Sequence, residues 1–146
     1  MNRSAFLLAQ LGSFSSERFA ARVHEVGLTP AEAGILRQLG ARPGISQREL
    51  ASLVGVTPSR LVGLIDSLAA RELVRRERSA TDRRNHELTL SAQGRAVLAE
   101  LRGVAEAHED DVLAPLSTNE RERLAALLGK LADGHALSAE LHRDTA

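Results

Sequence analysis

The sequence contains no cysteine and few aromatic residues or lysines. It has no Cys, Trp or Tyr, three Phe, and one lysine, Lys130. The absence of cysteine excludes disulfides, thiolate metal sites and a cysteine nucleophile or redox switch. The apolar residues are therefore mostly aliphatic, which favours a mainly α fold, and 146 residues suit one domain.

Long hydrophobic runs are missing as well. The first residues lack the apolar core of a signal peptide, and no apolar run is long enough to cross a bilayer. We therefore expect a cytoplasmic protein with no membrane partner.

The motifs of common catalytic and metal sites are also absent. The sequence has no glycine-rich phosphate loop and no nucleophile elbow, so we expect no enzyme and no cofactor. The histidines are scattered along the chain and do not form a metal motif: His24, His86, His108, His135 and His142. We expect no metal site.

Positive charge is concentrated in the middle of the chain. The formal net charge is zero, but residues 46–95 carry nine basic and six acidic side chains, an excess of three positive charges. Local cationic density is what phosphate binding requires. The central segment is therefore the part most compatible with nucleic acid.

Apolar periodicity predicts four helices in the first half of the chain. The first spans residues 4–26, and the second begins at a capping box formed by Thr29 and Glu32 and ends near Gly40. A second capping box is expected at Ser46 before a short third helix. The fourth starts at residues 57–58, and its inward side is predicted to consist of Leu61, Leu64, Ile65 and Leu68.

The pattern then changes to two short strands and returns to helix. Residues 73–78 and 86–90 read as a β-hairpin around a polar link. Ser91 can cap a long fifth helix, which Pro115 stops, and a capping box at Ser117 starts the sixth. The predicted fold is mainly α with a small β-hairpin wing, a winged helix-turn-helix core with long terminal helices.

The clearest motif spans residues 47–65, where a short helix, a tight turn and a second helix follow one another. Ala51 is small where the helices would cross, and Gly55 lies at the turn, where a positive φ is favoured. The outward side of the second helix is predicted to carry Thr57, Ser59, Arg60, Val62, Gly63 and Asp66. Residues near the start of such a helix enter the DNA major groove first, so Thr57, Ser59, Arg60 and Gly63 are the candidate base contacts.

A helix-turn-helix unit does not by itself establish DNA binding. Such units also serve as protein-contact modules, and a winged-helix scaffold that binds only protein is the alternative function. The basic hairpin that follows favours DNA, because it is placed to contact the flanking backbone and the minor groove. Its candidate contacts are Arg76, Arg78, Asp82, Arg83 and Arg84.

The hairpin and the next helix resemble those of the multiple-antibiotic-resistance regulator (MarR) family. The resemblance lies in Leu73-Val74-Arg75-Arg76, then Asp82-Arg83-Arg84, then Leu88-Thr89-Leu90-Ser91-Ala92-Gln93-Gly94, and the order of elements matches through Leu131. It implies that Arg84 enters the minor groove while Asp82 braces it, and that residues 57–68 read the major groove. It also implies a transcription regulator that acts as a repressor. Gly63 departs from the polar or basic residue that many relatives carry there.

The terminal helices carry more apolar residues than one small core can use, which predicts a homodimer. These residues are Phe6, Leu7, Leu8, Leu11, Leu127, Leu128, Leu131, Leu137 and Leu141, of which the last two equally fit a frayed tail. We expect residues 1–28 and 92–146 to form the dimerisation region and residues 29–91 to form the DNA-binding domain. Two such domains would bind a palindromic operator of double-stranded DNA.

In relatives, a small aromatic or anionic effector binds between the dimer helices and the DNA-binding lobe. The resemblance makes Phe14, Phe19, Val23, His24, Leu36 and Arg37 candidate lining residues. Their helical spacing equally describes ordinary core and helix surface, and that interpretation is preferred here.

Overall fold

The structure, a computed structural model, describes residues 3–78 and 86–137. The elements in chain order are α1 (Ser4–Glu25), α2 (Pro30–Ala41), β1 (Ile45–Ser46), α3 (Gln47–Val54), α4 (Pro58–Ala70), β2 (Val74–Arg78), β3 (His86–Leu90), α5 (Ala92–Val112) and α6 (Thr118–Gly134). The predicted mainly α fold with a β-hairpin is confirmed.

Helix starts follow the capping residues. Thr29 and Ser117 each form a complete capping box, in which the side-chain oxygens of Glu32 and Glu120 accept from the backbone N–H of the cap residue. At α3 the capping box predicted at Ser46 is present only as its first half, in which the hydroxyl accepts from the backbone N–H of Glu49. The sequence therefore marks the helix starts correctly even where one of the two bonds is missing.

The sheet has one strand more than the sequence predicts. β1 pairs antiparallel with β3, Ile45 opposite Leu88, so the strand order is β1-β3-β2. Two residues are too few to show a period of two, which explains why the pattern did not reveal β1. The buried Ile45 joins the α2–α3 connection to the hairpin.

The core lies between α2, α3, α4 and the sheet. Its largest fully buried side chains include Ile35, Leu36, Leu39, Leu50, Leu61, Ile65, Leu68 and Leu88. On α4, three of the four residues predicted to face inward are fully buried and Leu64 is half-buried. The core thus fixes α4 with its opposite side exposed.

The terminal helices leave an apolar surface exposed. Large apolar side chains are exposed on α1, on α6 and just after the end of α6: Phe6, Leu7, Leu8, Leu11, Phe14, Leu127, Leu128, Leu131 and Leu137. No described residue of α6 is buried. Leu141, which was included in the predicted interface, lies outside the described residues.

Within the described ranges, no single helix has the length and apolar character to cross a membrane. In the part of the chain that the structure describes, α3 and α4 satisfy that test when taken together, but they are bent by 104° at their junction.

Polar side chains join α1 to the C-terminal end of α5. Arg18 and Arg22 both donate to Asp111 Oδ2, at 2.6 and 3.1 Å. Near them, Ser15 Oγ lies 3.0 Å from Nε2 of the buried His108, whose ring is 5.3 Å from that of Phe19. These contacts fix α1 against α5.

The two arginines give Asp111 a testable acid sensitivity. Their hydrogen bonds, that of Arg18 first, hold the pKa of the Asp111 carboxyl below its ordinary value. A lowered pKa contributes stability above the unfolded-state pKa, near 3.9, that is lost as the pH falls through the folded-state pKa. We expect Asp111→Asn to lower the urea midpoint slightly at pH 7, and this deficit to shrink when the pH is lowered into the acid range below the ordinary carboxyl pKa.

The matched control for this prediction is Glu109→Gln, on the same helix. The structure shows no ion pair of Glu109 with any described residue. Its urea midpoint should follow that of the unmodified chain at both pH values. A deficit of Asp111→Asn that persists unchanged in acid would contradict the assignment.

Candidate nucleic-acid interface

A sharp turn between α3 and α4 sets the recognition geometry. Gly55 adopts φ 75°, and the N–H groups of Gly55 and Val56 both donate to the Ala51 carbonyl. This left-handed turn favours glycine, which has no Cβ. Thr57 then caps α4, accepting from the Arg60 N–H.

The outward side of α4 is open along its length. Thr57, Ser59, Arg60, Val62, Gly63 and Asp66 are all exposed, as predicted. At Gly63, outside the neighbouring backbone of α4, no atom of the described residues lies within 4 Å of the position a Cβ would occupy. Packing against the described residues therefore does not require glycine there.

The wing presents different side chains on its two faces. Side chains alternate along a strand, so Arg76 and Arg78 share the face of the buried Val74, whereas Arg75 and Glu77 lie on the other. Arg76 Nη2 contacts Asp66 Oδ1 of α4 at 2.6 Å. The predicted contacts Asp82, Arg83 and Arg84 lie outside the described residues.

The start of α5 anchors the wing. The Ser91 N–H donates to the Leu73 carbonyl and its hydroxyl to the Glu72 carbonyl, while the Gly94 N–H donates to the Ser91 hydroxyl. A Cβ at Gly94 would collide with the Leu73 carbonyl oxygen. The position therefore requires glycine for close approach of α5 to the turn between α4 and β2.

The end of α4 is tied to the turn between α1 and α2. Arg71 Nη1 donates to the Gly27 carbonyl at 2.8 Å and lies 3.8 Å from Glu32 Oε2. Gly27 has φ +78°, so the chain turns there in a conformation that side chains disfavour. The orientation of α4 thus depends on the start of α2.

A cavity of about 270 Å³ lies between α1, α2 and α5. Two of the predicted effector residues, Phe19 and Arg37, line it, together with residues the sequence did not indicate, among them Pro30, Ala33, Leu98 and Arg102. The other candidates lie elsewhere: Val23 and Leu36 are fully buried in the core, and Phe14 and His24 are exposed outside the lining. The preferred interpretation of Val23 and Leu36 as core is confirmed.

A second cleft, of about 520 Å³, adjoins the outer face of the hairpin. Its lining includes Arg75, Arg95 and Arg102, together with Glu77. Among residues 3–78 and 86–137, no three His, Asp or Glu side chains are grouped so that they could hold a metal ion.

The structure has two helices that cross at a glycine turn, with the second helix exposed and a hairpin after it. These features define a winged helix-turn-helix protein. Residues 26–85 match the family model described as "MarR family". The HTH-type transcriptional repressor Rv2887 of Mycobacterium tuberculosis is 32% identical over 126 residues, which are 86% of this chain and 91% of that protein. The chain belongs to the MarR family.

Two solved structures extend the comparison. The transcriptional repressor CouR bound to a 23-mer DNA duplex is 36% identical, with a TM-score of 0.78 over 88% of this chain and 91% of that one. The Mycobacterium tuberculosis MarR family protein Rv2887 in complex with salicylic acid is 30% identical, with a TM-score of 0.73 over 90% and 97%. The expected resemblance to the family is therefore confirmed over most of the chain.

Proposed function

We propose that the chain is a sequence-specific, double-stranded DNA-binding repressor of transcription that acts as a homodimer. The observation that carries the proposal is the exposed polar side of α4, held away from the core by its buried apolar side. The similarity to a repressor solved with a DNA duplex supports it. The function is one of binding, with no catalytic step.

The exposed side of α4 has the size and chemistry needed to bind bases in the DNA major groove. An α-helix fits the major groove, and the first residues of a recognition helix contact base edges. Thr57, Ser59 and Arg60 occupy that position, and a guanidinium can bind guanine through two hydrogen bonds. We assign base recognition to these residues, with Gly63 as a further point of close approach.

The wing supplies the flanking contacts in this proposal. Arg78 is exposed at the end of β2, next to the tip of the hairpin. Following the family pattern, we assign the minor groove to Arg84 with Asp82 bracing it, and a backbone contact to Arg83. Arginine suits this task because narrow minor grooves concentrate negative potential.

Two copies are needed to present two recognition helices. Half-sites on one face of DNA lie about 34 Å apart, which one α4 cannot span. The exposed apolar side chains of α1 and α6 provide an interface of the chemistry that dimers bury. We therefore assign dimerisation to residues 1–28 and 92–146 and DNA binding to residues 29–91.

Arg60→Ala tests base recognition on DNA taken from immediately upstream of the gene. Loss of a bidentate contact to guanine costs about 1–3 kcal/mol, so we expect affinity to fall about tenfold to a hundredfold. Binding to sequence-unrelated DNA should fall much less. Fluorescence anisotropy at fixed salt measures both.

The matched control is Lys130→Ala, which removes one positive charge from an exposed position on the side of α6 that carries Ala126, away from Leu128. It should leave the affinity for both DNAs within about twofold. Equal losses for Arg60→Ala and Lys130→Ala, on both the upstream DNA and the sequence-unrelated DNA, would show that Arg60 contributes charge only.

We further propose that the cavity between α1, α2 and α5 binds a small aromatic anion that releases the DNA. Its lining residues include Phe19, Arg37 and Arg102, and an aromatic and two cationic residues suit an aromatic carboxylate. A family relative has been solved with salicylic acid. Release requires that the ligand bind better to the form with low DNA affinity.

Salicylate is the probe for this site. We expect it to dissociate the DNA complex, and Arg37→Ala to raise the half-effective concentration about tenfold, since a hydrogen bond to a charged group contributes about 1.5–3 kcal/mol. Lys130→Ala should leave that concentration unchanged. Titration of the preformed DNA complex makes the measurement, and an unchanged response of Arg37→Ala would argue against this cavity as the site.

A further inference from the structure

An ion pair joins the proposed recognition helix to the wing. Asp66 Oδ1 on α4 lies 2.6 Å from Arg76 Nη2 on β2, and the two side chains are 58% and 31% exposed. The pair crosses from one DNA-contacting element to the other. Sequence reasoning placed Asp66 on the outward side of α4 and Arg76 among the DNA contacts, and it did not connect them.

The position of Asp66 is unfavourable for DNA binding if charge alone is considered. It lies seven residues after Ser59 and three after Gly63, spacings that place all three on one side of a helix. A carboxylate on that side repels the phosphates that α4 approaches. Its presence there therefore calls for a compensating role.

The position of Arg76 indicates what the role of Asp66 is. Arg76 shares its strand face with the buried Val74, so its side chain leaves β2 on the side where α4 packs. A guanidinium held at 2.6 Å by a carboxylate has a fixed direction and is less available to a phosphate. Exposed pairs of this kind contribute little to folding stability, which leaves orientation as the effect to consider.

We propose that Asp66 is a positioning residue for DNA recognition: through Arg76 it holds the wing at a fixed orientation to α4. Arg76 serves this pairing and is not a phosphate contact of its own. The inference rests on the proposed DNA-binding function. It adds a residue pair that makes α4 and the wing act on the DNA as one unit.

The two explanations predict opposite effects of Asp66→Asn on the affinity for DNA. If only charge matters, removing a carboxylate from the DNA-facing side raises the affinity for any DNA. The test uses an enriched duplex, which is one that the unmodified chain selects from a random-sequence pool. If Asp66 positions the wing, Asp66→Asn lowers the affinity for this duplex by about tenfold, a coupling typical of residues in direct contact. Binding to poly(dI-dC) should then stay the same or rise.

Glu77→Gln is the matched control. Glu77 neighbours Arg76 on β2 but lies on the opposite face of the strand, so its removal deletes the same charge without touching the pair. We expect Glu77→Gln to bind the enriched duplex as tightly as the unmodified chain, or more tightly. Thermal unfolding should be nearly the same for all variants, because the pair is exposed.

Arg76→Gln provides a second, independent readout. A phosphate contact predicts that the slope of log affinity against log salt falls by about one on both DNAs. Positioning predicts an unchanged slope, a loss confined to the enriched duplex, and no further loss when Asp66→Asn is added. Additive losses, or a lower slope on both DNAs, would overturn the inference, as would tighter binding by Asp66→Asn.

The inference and the proposed function fail in different ways. If the unmodified chain enriches no duplex, the proposed function is wrong. If the unmodified chain enriches one and Asp66→Asn binds it equally well, DNA binding stands and only the positioning role is lost.

Discussion

Replacing Leu128 and Leu131 with glutamate is expected to give a monomer that binds DNA at least about a hundredfold more weakly, because linked binding of two half-sites gains about 10²–10⁴ in avidity. Both leucines are exposed on α6, at 40% and 48%. Spaced three residues apart, they lie on the same stripe of the helix. A carboxylate introduced there would have to be buried in the interface without a partner, which is strongly unfavourable.

The matched control is Ala126→Glu on the same helix. Ala126 is exposed and lies two residues before Leu128, which at about 100° per residue puts it on the opposite side of α6. It introduces the same charge away from the stripe. We expect it to remain dimeric and to bind DNA normally.

Light scattering coupled to size-exclusion chromatography measures the mass of each variant. A dimeric mass for the double variant would place the interface elsewhere on the chain. A monomer that kept its full affinity for DNA would show that one wing and one α4 are enough for full DNA binding.

Gly94→Ala is expected to destabilise the fold by about 1–3 kcal/mol, the usual range for overpacking a core. The added Cβ meets the Leu73 carbonyl oxygen, a backbone atom that cannot rotate aside. Relief would require α5 to move away from the turn at Glu72 and Leu73, and the bonds from Ser91 would weaken with it. The wing would lose its anchor at the same time.

Gly103→Ala is the control for this prediction, since it makes the same chemical change in α5. Outside the neighbouring backbone of α5, no atom of residues 3–78 and 86–137 lies within 4 Å of a Cβ at Gly103. Alanine in a helix interior is favoured over glycine by about 0.5–1 kcal/mol, so Gly103→Ala should be stabilising. Urea unfolding measures both, and equal midpoints for the two variants would refute the close approach at Gly94.

Much of the architecture could be predicted because its signals are local. The caps at Thr29 and Ser117, the glycine at Gly55 and the alternation of β2 each depend on residues close together in sequence. Local signals also placed the inward side of α4, since a period of 3.6 separates its two sides. The strand β1 was missed because two residues carry no period.

The parts that could not be predicted depend on packing between distant segments. Helical spacing alone could not tell that Val23 and Leu36 are core while Phe19 lines the cavity, because all three lie on apolar stripes. Leu98 and Arg102 complete the cavity from α5, far away in the sequence. A cavity arises from the way three helices meet, which no single helix encodes.

The DNA-contacting residues show the same division. The sequence predicted which residues of α4 are exposed, and the structure confirms their exposure. The sequence did not predict that Arg76 is paired with Asp66, because that contact joins the helix α4 to the strand β2 and is not part of the pattern of either element. The base and phosphate contacts themselves stay predictions.

Selection from a random-sequence pool of DNA duplexes tests the central claim most directly. We predict that the unmodified chain enriches one inverted repeat, with half-site centres about 10 base pairs apart or a multiple of that spacing. Its affinity for that repeat should exceed its affinity for poly(dI-dC) by about a thousandfold or more and should fall steeply with salt. A pool that shows no enrichment after repeated rounds would contradict sequence-specific DNA binding by this protein.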